Sequence, residues 1–142
     1  MVTAKTKTIP DSNVVLDLLQ PQQSWSVWSQ KHLAACALDG SLVVNAIIFA
    51  EVSGHYLSHQ EVSGILQKIG IDFEDIPLEA AYHGGRAHKA YRRAGGKQDR
   101  LLPDFLIGSH AQFRGYSLLT RDQARFRTYF PYLHIIAPDT HP

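Results

Sequence analysis

The sequence predicts an α/β fold, a three-layer α/β/α sandwich with a central, mainly parallel sheet. Short apolar segments alternate along the chain with longer segments of helical spacing, the pattern of parallel strands joined by helices. Most of the predicted strands are apolar on both faces, so we expect helices to cover both sides of the sheet. The chain has 142 residues, is 44% hydrophobic and shows no linker. We therefore expect one domain over residues 1–142.

The first part of the chain contains one predicted strand and two predicted helices. Residues 7–10 are a short strand candidate, which Pro10 either ends or loosens because it lacks a backbone donor. Helical spacing follows over residues 13–19 and again over residues 24–40, where Gly40 stops the helix. The apolar positions that we expect this second helix to turn toward the core are Trp25, Trp28, Leu33 and Ala37.

The middle of the chain continues the alternation. The stretch "SLVVN" at residues 41–45 is predicted to be a buried strand, and Asn45 is expected to cap a helix over residues 46–58. Another helix over residues 59–70 ends at a glycine, and residues 71–77 alternate like a strand.

The last part of the chain contains three predicted helices and two predicted strands. The glycine pair after residue 94 ends the first of these helices, and Pro103 suits the first turn of the next. In order, the elements are a helix over 78–96, a helix over 103–115, a strand over 116–120, a short helix over 121–130 and a strand over 133–138.

Composition says more about the compartment in which the protein works than about its function. The net charge is +1, so bulk electrostatics names no partner. One cysteine excludes an internal disulfide and fits a reducing compartment. No apolar run is long enough to span a bilayer, and the N-terminus lacks the apolar core of a secretory signal. We expect a soluble, cytoplasmic protein that makes no membrane contact.

Four acids fall at or just beyond the carboxyl ends of predicted strands, or on the helix that follows such a strand. Asp11 follows the first strand, and Glu51 lies on the helix after the second. Asp104 opens the helix over residues 103–115, and Asp122 follows the strand "YSLLT". Ligands of open α/β sheets bind outside the carboxyl ends of the strands. These acids therefore meet if their strands are neighbours in the sheet.

Carboxylates that meet in this way repel each other unless their charge is compensated. Two like charges about 4 Å apart repel by roughly 4 kcal/mol at an effective dielectric constant of 20. Grouped carboxylates therefore take up protons or bind a cation, and hard divalent ions such as Mg²⁺ prefer oxygen ligands. Such an ion activates water and stabilises charge on a phosphoryl oxygen. Singly, Asp11 is also a plausible turn residue and Asp104 or Asp122 a helix cap, whereas Glu51 interrupts an apolar helical run.

The segments around these acids resemble the motifs of the PIN-domain ribonucleases. The segments are "PDSNVVLDLL", "NAIIFAEV", "LLPDFLIGSHA" and "LLTRDQARFRTYFP". The chain looks, more narrowly, like the VapC-type toxins of toxin–antitoxin pairs, from about Ile9 to Pro138. This resemblance implies a PIN-like fold and a metal-dependent endoribonuclease. It also implies an RNA substrate, a cognate antitoxin and a homodimer.

The resemblance assigns roles to particular residues. It implies that Mg²⁺, for which Mn²⁺ would substitute, is held by Asp11, Asp104 and Asp122, while Glu51 holds a metal or orients its water. The supporting residues around the acids are Ser12, Asn13 and Thr120. Trp25 and Trp28, predicted above to face the core, are alternatively interpreted as part of a groove that receives a segment of the antitoxin. Asp99 lies outside the family pattern and is interpreted as a solvated loop acid.

A local concentration of basic residues gives a candidate RNA surface. Residues 86–100 contain six arginines and lysines against one acid, and phosphate backbones attract such patches. Arg86, Lys89 and Arg93 share one helical face, and Arg121 beside Asp122 is a further candidate for the scissile phosphate. A solvated helix face explains the first three equally well, and a solvated helix start explains Arg121.

Three other functions fit the sequence less well than the nuclease does. One is a catalytically inactive PIN-like module that binds RNA or protein, but that state would be marked by loss of the acids. Another is a phosphatase of the haloacid-dehalogenase type, which would require an Asp where this chain has Asn13. The third is a zinc site built from His55, His59 and Glu51, for which the sequence offers no HExxH motif.

Overall fold

The structure is a computed structural model that describes residues 6–20, 24–54, 56, 58–97 and 101–142. The described residues form five strands in one sheet of order β3-β2-β1-β4-β5, and every neighbouring pair is parallel. The predicted α/β class with a parallel sheet is confirmed. The strands are β1 (Lys7–Pro10), β2 (Ser41–Val44), β3 (Ile71–Phe73), β4 (Ser117–Leu119) and β5 (Ile135–Ile136).

Seven helices connect the strands within the same described residues. They are α1 (Ser12–Leu19), α2 (Ser26–Asp39), α3 (Ala46–Ser53), α4 (His59–Ile69), α5 (Leu78–Arg93), α6 (Leu102–Arg114) and α7 (Ala124–Arg127). From β1 the chain adds β2 and then β3 toward one edge of the sheet. It then returns to the other side of β1 and adds β4 and β5 toward the opposite edge. Right-handed crossovers therefore put α1–α4 on one face and α5–α7 on the opposite face, giving three layers.

The central strands of the sheet are buried from both sides, as their composition predicted. Ile9, Leu118 and Leu119 have no exposed surface, and Val43 retains 2%. Such strands alternate neither in polarity nor in burial because helices pack on both of their faces. None of the helices in the described part of the chain combines the length and apolarity needed to cross a bilayer.

Local signals in the sequence explain where several helices begin and end. The predicted cap at Asn45 is confirmed, since its Oδ1 accepts hydrogen bonds from the backbone of Ile47 and Ile48, each at 3.1 Å. Gly70 and Gly115 follow α4 and α6 with φ of 93° and 70°, a left-handed conformation that favours glycine. α3 ends at Ser53, five residues before the predicted end.

The buried face of α2 differs from the prediction. Trp25 is 39% exposed, Ala37 is exposed, and Trp28 is only partly buried. Of the predicted positions only Leu33 is buried, and it is joined by Ser26, Ser29 and Cys36. Two small serines fit here because α1 supplies their hydrogen bonds: Ser26 donates to the Asp17 carbonyl at 3.0 Å and Ser29 to the Asp17 carboxylate at 2.7 Å.

Candidate functional site

The topology brings the four predicted acids together at one edge of the sheet. β1 is the central strand, with β4 beside it, so the residues that follow these two strands are neighbours. The backbone N–H of Asp11 donates to the Leu119 carbonyl at 2.8 Å, which fixes the first acid against the end of β4. Asp11, Glu51 and Asp122 each act electrostatically on Asp104. The four carboxylates thus share one electrostatic environment.

Asp11 is the most deeply buried of these acids, with 2% of its surface exposed. Its Oδ1 accepts from the backbone of Ser12 at 2.8 Å, and its Oδ2 accepts from the Thr120 hydroxyl at 2.8 Å. The Asn13 amide lies 3.3 Å from Oδ2. Burial raises the pKa of Asp11, while the Thr120 hydrogen bond partly opposes this effect. The three predicted supporting residues therefore all contact this carboxylate.

Asp104 lies in the first turn of α6, just after Pro103, and is 8% exposed. Burial raises its pKa to about 6, opposed by the charge of Arg125 and reinforced by Asp11, Glu51 and Asp122. A carboxyl group with this pKa is ionised at neutral pH only at an electrostatic cost, which a bound cation would relieve.

Glu51 reaches the cluster from α3 but is more exposed than its apolar neighbours predicted. Partial burial still raises the pKa of its carboxylate, and the Ser12 hydroxyl donates a hydrogen bond that opposes the rise. The nearby charge of Asp11 adds to the increase. Ser12 thus connects two acids, through its backbone to Asp11 and through its hydroxyl to Glu51.

Asp122 closes the cluster together with a residue that the sequence patterns did not single out. The Arg125 Nη1 lies 2.9 Å from Asp104 Oδ2, and its Nε lies 2.9 Å from Asp122 Oδ2. The backbone of Asp122 also donates to the Thr120 hydroxyl at 3.1 Å. The sequence signal for Arg125 was its spacing of three residues from Asp122, which is ordinary for a surface ion pair on a helix.

The donor chemistry of this site fits Mg²⁺ or Mn²⁺. All of the converging ligand atoms are carboxylate oxygens, and burial, reinforced by the neighbouring acids, raises the pKa values of Asp11, Glu51 and Asp104. Across the described ranges, no three acid, histidine or cysteine side chains are already arranged to hold a metal. Side-chain movement is therefore required, and Arg125 is the group that occupies one oxygen of Asp104 and one oxygen of Asp122.

Arg121 lies beside the acids in sequence but has a different partner. Its Nε is 2.8 Å from Asp17 Oδ2, its Nη2 donates to Asp17 Oδ1 at 3.2 Å, and its guanidinium lies over the Trp25 ring. Since Asp17 is only 2% exposed, this pairing compensates a buried charge. The arrangement gives Arg121 a structural partner, and its contact with the scissile phosphate stays a prediction.

The other predicted RNA contacts lie on α5, which packs beside α6. His88 and Tyr91 contact the ring of Phe105, the residue after Asp104. Arg86, Lys89 and Arg93 are exposed and line the same surface depression of about 450 Å³. They lie on the side of α5 that faces away from α6, so the structure does not bring them to the acids. Asp99, Arg100 and His55 lie outside the described residues.

A buried polar network beside the site was not anticipated. His110, with no exposed surface, receives a hydrogen bond at Nδ1 from the Asn45 amide at 3.0 Å. Its Nε2 lies 2.7 Å from the Glu74 carboxylate, which also accepts from the Tyr116 hydroxyl at 2.8 Å. Because Asn45 Oδ1 caps α3, its amide nitrogen must face the ring, so the ring proton is on Nε2.

Comparison with known proteins places this arrangement in context. Residues 8–130 match the family model described as the PIN domain. A chain of VapBC2 from Rickettsia felis, solved bound to a promoter DNA fragment, aligns with a TM-score of 0.70 at 15% identity, covering 92% of this chain and 98% of that one. A chain of DNA-bound VapBC from Salmonella typhimurium aligns with a TM-score of 0.67 at 17% identity, covering 93% and 98%.

A third solved structure gives the same picture. A chain of FitAcB from Neisseria gonorrhoeae aligns with a TM-score of 0.65 at 19% identity, covering 95% of this chain and 99% of that one. No curated protein matches the chain significantly. At identities this low, the structural matches establish a shared fold over nearly the whole of each chain.

Proposed function

The chain belongs to the PIN-domain family, and from that premise we propose that it is a metal-dependent endoribonuclease, the VapC-type toxin of a toxin–antitoxin pair. The observation that carries the proposal is the convergence of Asp11, Glu51, Asp104 and Asp122 at the carboxyl end of the central strands. Four acids gathered at one edge suit metal-assisted phosphodiester hydrolysis better than they suit a structural role.

Each residue of the site has a definite part in this proposal. Mg²⁺, or Mn²⁺ in its place, would be held by Asp11, Asp104 and Asp122, and when bound would activate water and neutralise charge on the scissile phosphate. Thr120 and Ser12 keep Asp11 in one orientation through two hydrogen bonds of 2.8 Å. Glu51, the exposed acid with a raised pKa, is suited to orient the attacking water and accept its proton.

An antitoxin is the proposed protein partner. The similar folds include chains of VapBC and FitAcB, and a further one comes from a toxin–antitoxin complex of Klebsiella pneumoniae. The surface of α2 carries exposed apolar side chains, Val27 at 80% and Leu38 at 81%, and Leu38 borders an apolar groove. Such a surface suits an apolar segment of another protein. The homodimer implied by the family resemblance remains an expectation.

The alternative function is an inactive PIN-like module that binds RNA or protein without cleaving it. Retention of all four acids, with the pKa of Asp104 raised to about 6, argues against this alternative. A module without a metal would gain stability by replacing such mutually repelling carboxylates with neutral residues.

Purified protein is expected to cleave RNA only with Mg²⁺ or Mn²⁺, and EDTA should stop the reaction. Asp11→Asn should lower the cleavage rate at least about 100-fold, because it removes a charged metal ligand worth several kcal/mol in the transition state. Asp72→Asn, a change of the same shape at an exposed acid on β3, is the control and should leave the rate unchanged. Full activity in EDTA or in Asp11→Asn would refute the nuclease, and metal-independent RNA binding alone would indicate the inactive module.

The basic face of α5 is expected to contribute non-specific RNA affinity. In an Asp11→Asn background that prevents cleavage, the dissociation constant should rise with salt. The double change Lys89→Gln and Arg93→Gln should reduce the slope of log affinity against log salt by roughly 1.4, about 0.7 for each lost contact. Lys31→Gln with Lys68→Gln removes the same charge from α2 and α4 and serves as the control. Equal slopes in both double variants would exclude the α5 face.

A further inference from the structure

The acid site contains a cation that the chain itself supplies, the guanidinium of Arg125. It lies between two of the four acids, with Nη1 2.9 Å from Asp104 Oδ2 and Nε 2.9 Å from Asp122 Oδ2. Its charge also opposes the rise in the pKa of Asp11 and of Glu51. Arg125 thus acts electrostatically on every acid that converges there.

The position of Arg125 conflicts with the use proposed for the same oxygens. A divalent cation bound by Asp104 and Asp122 requires lone pairs that the guanidinium engages, and the two cations would repel each other at that distance. The guanidinium and a metal ion cannot both be held by these two Oδ2 atoms in their present arrangement. Either Arg125 moves when a metal binds, or the metal does not bind there.

Several features indicate that Arg125 is able to move. It lies on α7, a helix of only four residues, and 35% of its side-chain surface is exposed. Its partner Asp122 is also half-exposed, with 49% of its side-chain surface accessible. Arg121 provides the contrast, because its carboxylate partner Asp17 is buried and is also held by Ser29.

We propose that Arg125 is a built-in competitor for the metal, standing in for the divalent cation in the metal-free protein and leaving Asp104 and Asp122 when a metal binds. This inference rests on the metal site of the proposed function. Arg125 stabilises the free protein by compensating the acids, and it lowers the apparent metal affinity by the fraction of molecules in which it is engaged. The protein then takes up metal only when the ion outcompetes its own arginine.

The test is a titration of the full chain with Mn²⁺, followed by isothermal calorimetry. Arg125→Gln should bind Mn²⁺ about 10-fold more tightly than the unmodified protein, which corresponds to an arginine engaged in roughly nine molecules out of ten. Arg125→Lys, a compact charge that cannot span both acids, should lie between them. Arg127→Gln is the matched control on the same helix, because Arg127 pairs with Asp139 away from the acids, and it should leave the affinity unchanged.

Thermal unfolding gives a second readout that does not depend on cleavage. Arg125→Gln should melt at a lower temperature than the unmodified protein in EDTA but show a larger rise in Tm on addition of Mn²⁺. If Arg125→Gln does not fold, Arg125→Lys decides alone, and tighter binding than in the unmodified protein is the supporting result. Mn²⁺ binding by the unmodified protein together with equal or weaker binding by the variants would overturn this inference alone. No Mn²⁺ binding by any of these proteins would overturn the proposed function and this inference together.

Discussion

Replacing Asp104 with Asn is expected to abolish RNA cleavage and, in the absence of metal, to make the protein more stable at neutral pH. Activity should fall at least about 100-fold, since a metal-binding carboxylate is lost. Stability should rise because Asp104 is buried beside Asp11 and Glu51, and its pKa of about 6 makes ionisation costly. We expect a gain of about 1–2 kcal/mol in the free energy of unfolding, reduced by the loss of one partner of Arg125.

The sign of the pH dependence follows from the direction of the shift. The pKa of Asp104 is about 6 in the folded protein, against 3.8 for an unperturbed aspartate side chain. Between these values the folded state binds a proton that the unfolded state releases, so stability falls as pH rises through this window. Above about pH 6 both states are ionised and the penalty is constant. Asp104→Asn should flatten this part of the profile.

Urea unfolding in EDTA from pH 4 to pH 8 measures both effects. Asp72→Asn, with an exposed carboxylate, is the control and should reproduce the profile of the unmodified protein. Added Mn²⁺ should stabilise the unmodified protein and the control but not Asp104→Asn. The prediction fails if Asp104→Asn is less stable than the unmodified protein at pH 7, or if its stability still falls between pH 4 and pH 6. Either result would show that ionisation of Asp104 is not costly in the folded protein.

The convergence of the acids was predictable because it follows from topology alone. Residues after parallel strands meet at one edge whatever the details of packing, so Asp11 and Asp122 required only the correct assignment of β1 and β4. The exposure of Glu51 was not predictable in the same way. An apolar run shows that a helix packs, but not how far its polar positions are turned toward solvent.

Pairings between distant polar residues were the part that the sequence did not reveal. The role of Arg121 depends on Asp17, more than a hundred residues away, and the buried face of α2 depends on the same carboxylate. The positions of Arg121, Ser26 and Ser29 can be explained only once their shared partner, Asp17, is known. Binary patterns of apolar and polar residues do not contain that information.

His110→Ala is expected to destabilise the protein by about 3 kcal/mol, the largest stability loss that we predict. His110 is fully buried on α6 and joins Asn45 to Glu74 through both ring nitrogens. Its removal leaves a cavity and an unpaired Asn45 amide. The Glu74 carboxylate keeps its hydrogen bond from the Tyr116 hydroxyl and two more distant cations, Lys7 at 4.0 Å and Arg114 at 3.9 Å. Unsatisfied buried groups are costlier than the net value of the bonds they lose.

A milder change separates the charge from the packing. Partial burial acts to raise the pKa of Glu74, but hydrogen bonds from His110 and Tyr116 outweigh it and lower the value below 4.5. A lowered acid pKa stabilises the fold above the unfolded value, and this contribution is lost as pH falls through the folded value. Glu74→Gln keeps the shape of the side chain, so it should lower the free energy of unfolding by about 1 kcal/mol at pH 7. It should also remove the loss of stability that Glu74 causes as the pH falls.

Urea unfolding at pH 7 and at acidic pH distinguishes these effects from a general weakening of the fold. His83→Ala, on the exposed surface of α5, is the control and should change stability by less than about 0.5 kcal/mol. Because Asn45 also caps α3, which carries Glu51, His110→Ala should weaken Mn²⁺ binding although it contacts no acid of the site. A loss below about 1 kcal/mol would mean that water or a shifted Glu74 replaces the ring, and that the network does not hold α3 in place.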